Sequence, residues 1–243
     1  MTINYNPSVT TTNLIVSLDP GNQRSYIGTG NYWNDLIGGV NPALLGTMPS
    51  YSTDGGGCFD FAANAGLNST SAASGFYWAP QPVPNTGSFT INCWVKNVPA
   101  VVGQQLLFSN TGDANGYRYG IGVNGVYWLI GPTYTENTLG FSSFTNTQWN
   151  NVCTIFDRLG TLASGTPYMY LYLNGSFVTS AAMPASQTAW NTSGYTTTYM
   201  AKWNGQTFTS YSGKLGAFSV YSTALTAAQV LQNFNALRGR YGI

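Results

Sequence analysis

The feature that most constrains this chain is a rhythm of short runs in which apolar and polar residues alternate, each closed by Gly, Asn, Pro or Ser. Period-two alternation puts one set of side chains on each face of a β-strand. Many such runs, spaced by turn residues, are the pattern of a sandwich or barrel. The clearest run is SFTINCWVKN at 88–97, with Phe89, Ile91, Cys93 and Val95 on one face and Thr90, Asn92 and Trp94 on the other. Further strands are predicted at 13–19, 58–62, 103–110, 149–157 and 213–222. Two hairpins are predicted: 117–131 turning at Asn124-Gly125, and 168–180 turning at Asn174-Gly175. The first suits a type I′ turn, whose two central residues need positive φ. Segments 20–57 and 63–87 read as loops. Residues 1–12 are polar and Thr-rich and read as an arm, leaving 13–243 as one domain without a dividing linker. A chain of 243 residues is long enough for one large all-β domain with a substantial core.

One helix stands out. Thr226-Ala-Ala-Gln229 is a capping box, with Leu225 and Val230 placed as a hydrophobic staple. Val230, Leu231, Phe234 and Leu237 recur at helical spacing, and Gly239 suits a stop. The helix is expected along one end of the sandwich.

Charge narrows the function classes. Only 6% of residues are charged, eight basic and seven acidic, for a net charge of +1. Binding a nucleic-acid backbone needs clustered Lys and Arg, and the one local basic pair is Arg238 and Arg240. A nucleic-acid partner is therefore not expected. No apolar run approaches the roughly 18 residues of a membrane span, so no membrane partner is expected either. The N-terminus lacks the basic head and apolar core of a secretory signal, which points to synthesis in a cytoplasm.

The side chains that carry catalysis are scarce. There is no His, which removes Ser-His-Asp and Cys-His chemistry, and Glu136 is the only Glu. Asp19, Asp35, Asp54, Asp60, Asp113 and Asp157 are scattered, with no paired carboxylates of the kind glycoside hydrolysis needs, and read as turn-holding residues. Cys58, Cys93 and Cys153 cannot all pair; buried free thiols are favoured, one disulfide stays open, and the absence of His and of Cys-x-x-C argues against zinc. These side chains give no reason to expect a cofactor.

Recognition fits better, because aromatics make up 15% of the chain. Sugar rings and protein partners both favour aromatic faces. The candidates are Tyr77, Trp78, Tyr134, Trp190 and Tyr195, read as loop aromatics that face a glycan or a neighbouring subunit; the alternative is that they cover the sandwich edge.

Several segments together carry a resemblance: NLIVSLDPGNQRSY (13–26), YWNDLIGG (32–39), GGGCFDF (55–61), SFTINCWVKN, QWNNVCTIFD (148–157), YLYLNGSFV (170–178) and GKLGAFSVYSTALTAAQVLQNFNALRGRYGI (213–243). In this order they resemble laminin G-like members of the concanavalin A-like lectin/glucanase superfamily, of the type found in tailed-phage structural proteins. Ile37 stands where the family's loop carries Ser. The resemblance implies an all-β, antiparallel two-sheet jelly-roll sandwich, with first and last strands close together and one short C-terminal helix. It places Trp94 and Trp149 on family strands as packing residues, and Trp33 in a loop that closes one end of the core. It also raises calcium, which laminin G-like domains often bind at a rim, and which here would need Asp54 or Asp113 joined by backbone carbonyls. The function it implies is a non-catalytic structural protein of a phage virion, as capsid decoration or as a tail or fibre component. Its partners would then be other virion proteins, in a homo-oligomer or a lattice. A glycan-binding module for host attachment is the alternative, and a glycoside hydrolase the least favoured.

Overall fold

The computed structural model describes residues 7–39, 41–64, 75–79, 82–84, 86–98, 105–109, 117–130, 137–141, 144–184, 197–201 and 209–243. In chain order its first strands are β1 (Leu14–Leu18), β2 (Ala43–Leu45), β3 (Ser50–Ser52), β4 (Cys58–Asp60), β5 (Gly75–Trp78) and β6 (Phe89–Lys96). Then come β7 (Gln105–Ser109), β8 (Tyr117–Gly122), β9 (Gly125–Ile130), β10 (Asn137–Gly140) and β11 (Asn150–Asp157). The last are β12 (Tyr168–Leu173), β13 (Ser176–Ala182), β14 (Thr198–Met200), β15 (Thr209–Ser210) and β16 (Lys214–Tyr221), followed by helix α1 (Ala227–Tyr241).

These strands form two sheets. The first runs β13-β12-β11-β6-β16-β4-β3, with β1 also on β16; the second runs β10-β9-β8-β7-β14-β5-β2, with β15 beside β7. Pairing is antiparallel except between β15 and β7. First and last strands are neighbours, with Val16 opposite Val220 and Leu18 opposite Phe218. The architecture is the two-sheet antiparallel sandwich with one C-terminal helix that the sequence predicts.

The core follows from the alternation. Phe89, Ile91, Cys93 and Val95 of β6, with Val152 and Phe156 of β11, meet Phe108, Tyr119, Ile121, Val126 and Met200 of the second sheet. Each large apolar side chain buried there contributes about 1.5–3 kcal/mol. Trp33 is fully buried against Phe59 and Phe76, at ring distances of 4.9 and 5.6 Å. All three cysteines are free and buried. Burial pushes the Cys58 thiol up to about 11, and raises Cys93 and Cys153 further.

Four expectations need correction. Segments 20–57 and 63–87 are not loops throughout, since they carry β2, β3 and β5, strands of three or four residues too short to show a period. The helix does not lie along an end of the sandwich. It crosses the outer face of the first sheet, where Leu225 and Val230 pack with Cys153, Ile155, Tyr172 and Tyr221, and Phe234 and Tyr241 pack with Trp94, Trp149 and Ala217. The reason lies in the strands themselves: the face of β6, β11 and β16 that turns away from the core carries Trp94, Ile155 and Tyr221, too much apolar surface to leave in water. Both faces of β11 are consequently buried along its whole length. The helix also does not stop at Gly239. It runs to Tyr241 and ends at Gly242, whose φ of 74° allows its N–H to reach the Arg238 carbonyl. Finally, the first hairpin turns at Val123 and Asn124, since Gly122 already pairs with Gly125, and neither turn residue has positive φ. Gly125 serves close packing instead: a Cβ there would strike the Leu139 carbonyl of β10. The second hairpin turns where expected, with φ of 51° at Asn174 and 76° at Gly175.

The capping box forms as predicted. The Gln229 N–H donates to Thr226 Oγ1 (3.3 Å), and the Thr226 N–H donates to Gln229 Oε1 (2.9 Å). The inner part of the N-terminal segment rests on this helix: the Thr10 N–H donates to Asn233 Oδ1 (2.8 Å), and Gln232 Nε2 donates to the Ser8 carbonyl (2.8 Å).

Candidate functional site

Five charged residues, Asp19, Asp54, Lys96, Lys214 and Arg240, gather where the tail meets the sheet, and they are occupied with structure. Asp54 Oδ2 accepts from Lys96 (2.9 Å) and Lys214 (2.7 Å), while its Oδ1 accepts from Trp149 Nε1 (3.0 Å). Burial alone would raise the Asp54 carboxyl; the hydrogen bonds from Lys214, Trp149 and Lys96 outweigh it and hold the group well below the usual carboxylate range. Arg240 donates through Nη1 to both oxygens of Asp19 (2.7 and 2.6 Å), through Nε to the Gly55 carbonyl (2.7 Å) and through Nη2 to the Gly57 carbonyl (3.1 Å). Tyr241 stacks on Trp94 at 4.1 Å, and its hydroxyl accepts from the Ala217 N–H (2.8 Å). Gly216 makes this fit possible, because a Cβ there would run into the Tyr241 ring. Beside this cluster lies a depression of about 310 Å³ lined by Lys96, Trp149, Arg240 and Ile243, whose charged groups are already paired.

The other described carboxylates are likewise engaged. Asp157 is fully buried and accepts from Ser88 Oγ, the Thr161 N–H and hydroxyl, and the Leu162 N–H. Asp35 accepts from the Ser17 and Ile37 N–H groups, and Asp60 from the Ala62 N–H. Asp54, one of the two residues weighed for calcium, has both oxygens taken by cationic and N–H donors, the reverse of what a cation site requires. Asp113 and Glu136 lie outside the described residues. Among the described residues no group of three or more Cys, Asp or Glu could hold a metal ion.

The recognition candidates divide. Tyr134, Trp190 and Tyr195 lie outside the described residues, as does the Trp78 side chain. Tyr77 is described, and it sits on strand β5 rather than in a loop. Its neighbour Phe76 is fully buried in the core, so by alternation Tyr77 points to the outer face of the second sheet, where it is 39% exposed. Directly opposite it are Tyr199 on β14 and Ala43 on β2. Ala43 in turn bridges to Tyr32, which is 61% exposed. Trp33 and Met200 are core residues and Leu44 packs against the core, so the flanking pattern gives each member of the row the same outward direction. The result is a cross-strand row Tyr32–Ala43–Tyr77–Tyr199 on the sheet opposite the one the helix covers. Tyr32 and Tyr199 were not among the sequence candidates. The signal that could have found them is the Trp33/Tyr32 and Met200/Tyr199 alternation, each too short to read alone.

Residues 69–231 match a family described as the concanavalin A-like lectin/glucanases superfamily. The sequence matches no curated protein. Among solved structures, the receptor-binding domain of botulinum neurotoxin type G is 19% identical, with a TM-score of 0.62 over 92% of this chain and 51% of its own. A structure of botulinum neurotoxin type C, which depends on interaction with two ganglioside molecules to enter cells, is 15% identical, with a TM-score of 0.65 over 93% and 51%. The binding domain of Paraclostridial Mosquitocidal Protein 1 is 18% identical, with a TM-score of 0.64 over 92% and 52%. At these identities the likeness is one of fold, and the chain spans about half the length of the solved chains it matches.

Proposed function

The chain belongs to the concanavalin A-like lectin/glucanases superfamily, and from that premise we propose that it is a non-catalytic recognition domain that binds a glycan through the outer face of its second sheet. The observation that carries this reading is the row of outward tyrosines on adjacent strands, Tyr77 directly opposite Tyr199 with Tyr32 beyond Ala43. Aromatic faces with a polar hydroxyl suit sugar rings, which are apolar on their faces and polar at their rims. The non-catalytic part is supported by the described carboxylates, each of which holds a loop, a strand end or the tail. Receptor-binding domains among the similar folds offer a parallel for recognition at a cell surface.

The place we propose for this domain is the surface of a phage virion, as capsid decoration or as part of a tail or fibre, in contact with other virion proteins and with a host-surface glycan. That placement rests on the likeness of 213–243 to segments of tailed-phage structural proteins. The same segment locks the helix onto the first sheet, so its residue choices also answer to folding. Binding of the purified protein to a glycan array, with Tyr77→Ala/Tyr199→Ala as the comparison, tests the recognition role. Signal that survives the double substitution would remove the tyrosine row from it. Antibody against the domain should label the outside of purified particles, and its failure to do so would remove the virion placement.

A further inference from the structure

We infer that the glycan site contains a slot for one uncharged sugar ring, floored by Ala43 and walled by Tyr32 and Tyr77. This rests on the recognition reading above and deepens it. Tyr32 and Tyr77 flank Ala43 from the two neighbouring strand positions, and all three point outward. Adjacent strands lie about 4.8 Å apart, which sets the two tyrosines about 10 Å apart across the sheet. A ring held by van der Waals contact at about 4 Å on each face needs about 8 Å between the walls, which a spacing of about 10 Å accommodates. The floor side chain is a single methyl, so the slot is open to the backbone; a larger residue would fill it. Tyr199 stands on the far side of Tyr77, in the directly opposite cross-strand position.

The surroundings select a neutral ligand. Residues 25–34 and 41–53, which supply Tyr32, Ala43 and the loops beside them, contain no charged residue. Asp35, next in the chain, is buried and spends Oδ1 on the Ser17 and Ile37 N–H groups. Along the row the first charged side chain is Arg118, which is buried and lies beyond Tyr199 and Ser109, about 19 Å from Ala43 at four strand spacings. Among the described residues of the row an acidic sugar would find no cation before Arg118, whereas a neutral hexopyranose needs only two faces to stack on and polar groups at its rim.

The test is a printed panel of neutral and sialylated oligosaccharides probed with the wild type, Ala43→Leu and the Tyr77→Ala/Tyr199→Ala pair, with thermal unfolding as the fold control. A neutral glycan is expected to bind the wild type, and to bind Ala43→Leu about tenfold or more weakly, since a lost ring stack of about 1.4 kcal/mol is a factor of ten. If Ala43→Leu does not fold, Tyr32→Ala removes the other wall and should show the same loss. Wild-type binding by Ala43→Leu, with binding lost in the double tyrosine variant, would overturn the slot and leave the recognition reading standing. Preference for sialylated glycans would overturn the neutral ligand. Absence of any glycan signal with the folded wild type would overturn both.

Discussion

Tyr241→Phe removes one oxygen and tests how the tail is held. In the wild type the Tyr241 ring stacks on Trp94 at 4.1 Å and leans on Trp149 at 4.8 Å, while its hydroxyl accepts the Ala217 N–H at 2.8 Å. Ala217 is 6% exposed and lies at the irregularity where the β16–β6 register shifts between Leu215 and Phe218. Its N–H therefore has little access to water once the hydroxyl is gone. A buried donor left without a partner costs roughly 1–3 kcal/mol. At about 2–4 °C per kcal/mol for a domain of this size, Tm should fall by about 2–12 °C. Tyr241→Ala also removes the stacked ring and should cost about 3–5 kcal/mol. Thermal and urea unfolding of both variants gives the comparison, with unchanged m confirming that only stability moved. A Tyr241→Phe protein within about 0.5 kcal/mol of wild type would refute the argument, because it would mean that water or a backbone shift satisfies the Ala217 N–H. Glycan binding should be unaffected in either folded variant, since the tyrosine row lies on the other sheet.

Other outcomes follow from the same contacts. Arg240→Lys keeps the charge but loses the fork that joins Asp19 to the Gly55 and Gly57 carbonyls, and should lower stability by about 1–3 kcal/mol in urea unfolding. Asp54 has a folded pKa held below its unfolded value of about 4, so its contribution is present at neutral pH and is lost as the pH falls through that range. Asp54→Asn should be less stable at pH 7 and show a shallower loss of Tm with acid than the wild type. The three thiols are buried and shifted upward, so a chromogenic disulfide reagent at pH 8 should label none quickly in the native protein and three after denaturation.

The fold was legible in the sequence where strands were long enough to show their period. The strands within SFTINCWVKN and NNVCTIFD are eight residues each, and both became central strands of the first sheet. The second sheet is built largely from pieces too short to read: β2, β5, β10 and β14 have three or four residues each and lie in stretches rich in Gly, Asn and Ser. The candidate site falls on those pieces, which is why Tyr77 looked like a loop aromatic and Tyr32 and Tyr199 drew no notice. The helix was recognisable from Thr226 and Gln229, whose signal is local, but its seat was not. Finding that seat required knowing that Trp94, Ile155 and Tyr221 share one face of a sheet, which is a statement about pairing register. Arg240 and Tyr241 belonged to the segment that suggested a phage relative. Their contacts give them a second and nearer reason to be there, the closure of the tail over Asp19, Trp94 and Ala217.

The central claim is that one sheet face is closed by the helix and the other recognises glycan. The most direct measurement is the affinity of an array-identified neutral oligosaccharide for the wild type, for Tyr77→Ala/Tyr199→Ala and for Phe177→Ala, which removes a 56% exposed aromatic of the first sheet. The account predicts binding by the wild type and Phe177→Ala, and loss of about tenfold or more in the tyrosine pair. Equal binding by all three proteins, or loss confined to Phe177→Ala, would contradict it.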